Sequence, residues 1–281
     1  MEQRRNIPRL CSLLTAALTL LGVILRSVCM FNCYEADIGY FTAGLLPTLS
    51  NVLYFVALAT PTVCMAFTPK NTLPAELHIQ GRAPTAILLS FSLAAFTLVL
   101  MATSLQGSAP ATRVTLASNL LGIAAAVYYL VSAPRNGRYP DWLSFLGFIP
   151  AIWCIAAVAE TYFDNYVAMN SPVKLALQMG FLGFMLINLA ELRFRVGKAL
   201  PRYSVIFLSV GSYACLVGSV PLLVAACAGI TDHFRHIMYA VVLLCAGLYG
   251  LYTLLRYTYA PVPSAETQTE SSAAEPPNTA E

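Results

Sequence analysis

Long uninterrupted apolar runs, not alternating positions, organise this chain. Eight can be read, at about 9–31, 39–67, 84–105, 110–132, 142–161, 172–192, 203–228 and 235–257. Each reaches the roughly 20 residues that a helix needs to cross the hydrocarbon core. Helices are predicted because membrane strands alternate in units of about ten residues. The expected fold is all-α, a polytopic bundle of eight transmembrane helices over residues 1–260. Residues 261–281 are rich in Pro, Ala, Ser, Thr and Glu, without an apolar period. They read as a disordered cytoplasmic tail.

Charge orients the map. If odd-numbered runs pass from inside to outside, twelve of the 16 lysines and arginines lie in inner segments. Arg26, Arg113, Lys174 and Arg235 are left outside. The positive-inside rule then predicts that both termini are cytoplasmic. Tyrosines and phenylalanines flank both ends of the runs, as interfacial belts do. The first run is too long for a cleaved signal, and Arg26 and Val28 spoil a small-residue cleavage site, so it reads as a retained helix.

Composition agrees. The chain is 58% hydrophobic and 10% charged, whereas a soluble domain carries roughly a quarter charged residues. The lipid bilayer is the implied partner, and the plasma membrane is the expected location. A net charge of +3, spread over short loops, gives no footprint for nucleic acid.

The two halves share a rhythm. Runs 1–4 and 5–8 have centres offset by about 120 to 130 residues. Both halves carry an acidic, aromatic segment after their first run, Asn32–Asp37 and Glu160–Asn165. A parallel four-plus-four repeat is therefore a candidate arrangement.

Candidate chemistry concentrates on a few polar residues. Lys174, Gln178 and Asn188 of run 6 fall within about 80° of a helical wheel. Gln178 is about 6 Å and Asn188 about 21 Å along the axis from Lys174. Such a stripe lines a cavity or bonds to neighbouring helices, because polar groups facing lipid are costly. Run 2 carries Pro47, Ser50, Asn51 and Pro61, and an interrupted helix there would pair with run 6, which carries Gly180 and Gly183. The expected ligand site is thus lined by Asn51, Lys174, Gln178 and Asn188, with Lys174 drawing an anionic group from outside. Arg26 is expected to reach toward Glu35 or Asp37.

A secondary outer cluster comprises Glu160, Asp164, Asp232, His233 and His236. Two imidazoles one turn apart beside a carboxylate make a metal half-site, but the spacing is unspecific and no metal is assigned. No P-loop, HExxH, GxSxG or CxxC is present, and no cofactor is expected. The leading expectation is binding or transport of a small, anionic solute through a cavity between runs 2 and 6. The alternatives are a non-catalytic sensor or accessory subunit meeting a membrane partner protein, and an outward-facing metal-dependent membrane hydrolase.

The orientation is directly testable. A fluorescent protein fused after Glu281 should glow, and alkaline phosphatase fused there should be silent. The reverse pattern would invert the map.

Overall fold

The computed structural model describes residues 2–35, 38–68, 84–105, 113–133, 140–164, 168, 171–198, 200–231 and 233–259. The helices are α1 (Glu2–Asn32), α2 (Leu45–Ala66), α3 (Pro84–Leu105), α4 (Arg113–Ser132), α5 (Asp141–Leu146), α6 (Ile149–Phe163), α7 (Pro172–Arg195), α8 (Pro201–Cys227) and α9 (Phe234–Tyr259). Two short strands, β1 (Tyr34–Glu35) and β2 (Tyr40–Phe41), pair antiparallel with Tyr34 opposite Phe41. Among the described residues, eight segments are long and apolar enough to cross a bilayer, with α5 and α6 sharing the fifth. The chain is an all-α, multi-pass membrane protein.

Helices α7, α8 and α9 form the inner layer. The most apolar stretch of α8 is 78% buried, against 22% for α2. Helices α1 and α2 pack on α8 from one side. Helices α3, α4 and α6 cover α7 and α9 from the other. The first turns of α1 meet the last turn of α9 at one end of the bundle, where Thr258 donates to Ser12 Oγ (3.1 Å) and Arg9 lies over the Tyr259 ring.

Small residues permit the central contact. A Cβ on Gly211 would lie 2.5 Å from the Gly183 carbonyl oxygen, and one on Gly183 would lie 2.8 Å from that of Gly211. A Cβ on Gly218 would meet the Ala176 carbonyl oxygen at 2.6 Å. The backbones of α7 and α8 therefore touch, as small residues allow between membrane helices. On the other side of α7 the space is filled by rings. Trp153 of α6 packs edge-on against Phe181 of α7 (5.7 Å), and Phe181 against Tyr239 of α9 (5.0 Å).

Three details depart from the sequence reading. Residues 39–44 do not continue into the second span. Gly39, at φ 71°, lets the chain turn, and Tyr40–Phe41 pair with Tyr34–Glu35. Helix α2 is continuous. Pro47 falls in its first turn, where a missing N–H has no intrahelical carbonyl to lose, and Pro61 is carried inside the helix. The interruption lies instead in the fifth span, between Leu146 and Ile149, just before Pro150. A Cβ on Gly147 there would lie 2.7 Å from Leu192 Cδ1 and 3.1 Å from the Tyr128 hydroxyl.

Packing of the two halves also differs. Spans 6 and 7 share the most extensive interface, whereas the corresponding spans 2 and 3 have no comparable one among the described residues. The 261–281 tail, Asp37, Asp232 and the basic loops holding Lys70, Arg82, Arg135 and Arg138 lie outside the described residues.

Replacing Gly211 with alanine places a methyl against backbone that cannot rotate away. The expected cost is about 1–3 kcal/mol, read as a lower melting temperature in detergent. Gly229→Ala, at a turn with no neighbour within 4 Å of the added methyl, tests strain at positive φ without overpacking; it should disturb the α7–α8 contact far less.

Candidate functional site

Among the described residues, three groups of polar side chains stand out, and α7 borders each of them. Its N-terminus begins with Ser171 as cap, whose hydroxyl accepts from Val173 N at 3.3 Å, followed by Pro172. A capping hydroxyl satisfies an orphan N–H, and proline suits the first helical position.

The first place is a cleft of about 500 Å³. It is lined by Arg26 of α1, Tyr40 and Phe41 of β2, Asn51, Tyr54 and Phe55 of α2, Val217 of α8, and Pro172, Leu175, Ala176 and Met179 of α7. The cleft exists because α2 packs on α1 and α8 rather than on α7. Phe55 and Leu175 at its rim are exposed, so its mouth faces the lipid side of the bundle. Arg26 is its cation. The guanidinium donates to Asn51 Oδ1 (3.1 Å) and to the Pro172 carbonyl (3.2 Å), and lies 5.0 Å over the Phe41 ring. It is thus fastened to α2 and α7 rather than to Glu35. The hairpin leans on the same region. Burial pushes the Tyr34 phenol above its ordinary value, opposed by a hydrogen bond with Ser171.

Of the four residues expected to line a cavity, Asn51 lies in this cleft and the other three do not. Lys174 is 1% exposed. Its ammonium donates to the carbonyls of Tyr162 (3.4 Å) and Asp164 at the end of α6. A cation there satisfies carbonyls that the helix leaves unpaired. Gln178 is half-buried. Asn188 is buried, and its amide oxygen accepts from the Tyr129 hydroxyl of α4. Lys174 and Asn188 thus tie α7 to α6 and α4, as buried polar groups are cheaper bonded than bare.

The second place is the opposite end of α7. Glu191 and Arg195 form a buried ion pair at 3.8 Å, one turn apart. Tyr249 of α9 also hydrogen-bonds Glu191. The i, i+4 spacing makes such a pair legible in the sequence; its burial is decided by the helices packed around it.

The third place is the secondary cluster. Glu160 of α6 accepts from the Tyr239 hydroxyl of α9 at 2.5 Å. One turn on, Asp164 ends α6 and meets both histidines. Its Oδ2 lies 3.4 Å from His233 Nε2 and 3.0 Å from His236 Nε2. Asp164, His233 and His236 are thus brought together, Glu160 turns to Tyr239, and Asp232 lies outside the described residues. Sequence reasoning missed Tyr239, although its i+3 spacing from His236 was a usable signal.

No protein-family model, curated protein or solved structure matches the chain.

The Glu160–Tyr239 bond ties α6 to α9 inside the bundle. Tyr239→Phe deletes the donor and leaves a carboxylate oxygen buried. The expected loss is about 1–3 kcal/mol, measured as a drop in thermal stability. Tyr252→Phe, on the less buried face of α9, should be neutral.

Proposed function

We propose that this membrane protein binds a small anionic amphiphile in the cleft between α2 and α7. The observation that carries the reading is Arg26, a cation on a spanning helix set into the wall of an open cleft of about 500 Å³. Pockets for small molecules run roughly 300–1,000 Å³, largely apolar with a few placed polar groups. This lining has that character: Phe41, Tyr54, Phe55, Leu175 and Met179 beside Arg26 and Asn51.

A guanidinium has five N–H donors and no acceptor. It can therefore hold Asn51, the Pro172 carbonyl and one anionic head together. A carboxylate or phosphate matches its fork, while the apolar wall takes an alkyl or aryl body. The mouth beside Phe55 and Leu175 favours entry from the bilayer. On the charge map the cleft belongs to the outer half of the membrane. Binding from the side is preferred to passage through the bundle, because Phe181, Phe184 and Asn188 fill the space beyond α7.

Equilibrium binding to purified full-length protein in nanodiscs tests this, with a dansyl-labelled undecanoate as probe and decanoate as competitor. Saturable binding is expected, with roughly tenfold or greater weakening in Arg26→Met, since hydrogen bonds to charged groups contribute about 1.5–3 kcal/mol. Asn51→Leu should weaken it less. Equal competition by uncharged decanol, or unchanged affinity in Arg26→Met, would sink the proposal.

A further inference from the structure

We propose that Asp164, His233 and His236 form a binding site for a divalent transition-metal ion, zinc by the character of its donors. The site is separate from the cleft and does not rest on the reading above. One ligand atom from each residue lies within 4.8 Å of the other two. Zinc sits about 2.0–2.2 Å from histidine nitrogen and carboxylate oxygen. Ligands on a tetrahedral ion are then spaced by roughly 3.3 Å. The observed 3.0 and 3.4 Å from the carboxylate to the two imidazoles bracket that spacing.

Each donor is held by the fold. Asp164 is the residue at which α6 stops. The buried Lys174 grips the carbonyls of Tyr162 and Asp164, so the chain leaves α6 along a fixed path. His233 immediately precedes α9 and His236 sits in its first turn, three residues apart and on one face. Their rings lie 4.0 Å apart, centre to centre. One turn deeper, Tyr239 and Glu160 bond across the same two helices and fix the separation of α6 from α9.

Burial gives the site a closed side and an open one. The side chains of His236 and Asp164 are 2% and 5% exposed, that of His233 24%. Two imidazoles and a carboxylate suit zinc and its neighbours better than magnesium or calcium, which prefer oxygen. Three protein ligands leave a fourth position beside His233. That is the pattern of a site that exchanges a ligand, not of a closed structural one.

The test uses full-length protein purified without a histidine tag, stripped with chelator and re-equilibrated with Zn²⁺. Elemental analysis should return one zinc per chain. Competition with a chromophoric chelator should show affinity reduced roughly tenfold or more in His236→Ala and in Asp164→Asn. His78→Ala, at the remaining histidine, should bind as the parent does. Should the variants fail to fold, Co²⁺ added to the unmodified protein decides: intense visible absorption of a four-coordinate site is expected. Failure of the parent protein to retain zinc, or equal affinity in His236→Ala, overturns the proposal.

Discussion

The backbone contact between α7 and α8 is the constraint on which the rest of the bundle depends. Gly183 and Gly211 face each other with no room for a Cβ, and Gly218 rests on the Ala176 carbonyl. In lipid, apolar side chains gain little by leaving one neighbour for another, so close backbone packing must supply much of the association. Helix α9 packs on both and completes an inner layer, with the outer helices on its two sides. The polar groups at both ends of α7 are placed by this packing, and the cleft opens where α2 packs on α1 and α8 instead of α7.

Helix α7 carries charge at both ends and rings in between. Lys174 closes the carbonyl end of α6; Glu191 and Arg195 pair at the other end. Buried polar groups are tolerable only when partnered. Within the stripe of Lys174, Gln178 and Asn188, Lys174 bonds a helix terminus and Asn188 bonds Tyr129. The cleft opens on a different face of the same helix, through Pro172, Leu175, Ala176 and Met179. A helix-wheel sector cannot say which face meets a gap, because the gap belongs to the neighbour that failed to pack.

Pro47, whose missing donor suggests an interruption, lies in the first turn of α2; the chain breaks instead just before Pro150. Proline marks a missing donor, but whether the helix ends there depends on the packing around Gly147, Tyr128 and Leu192. Arg26, expected to reach toward Glu35 or Asp37, instead joins α1 to Asn51 and Pro172. Its partners lie 25 and 146 residues away along the chain, beyond any local pattern.

What the sequence determined by itself was the membrane class and the eight apolar spans. Those follow from the length of hydrocarbon that a helix must cross, which is a local, additive property of the chain. The residue types of the outer cluster were also legible. Only the tertiary structure decided that Asp164 meets His233 and His236 while Glu160 turns to Tyr239. It likewise decided that the open face lies between α2 and α7. Those outcomes depend on distances between helices, set by which glycines let backbones touch and which rings hold them apart.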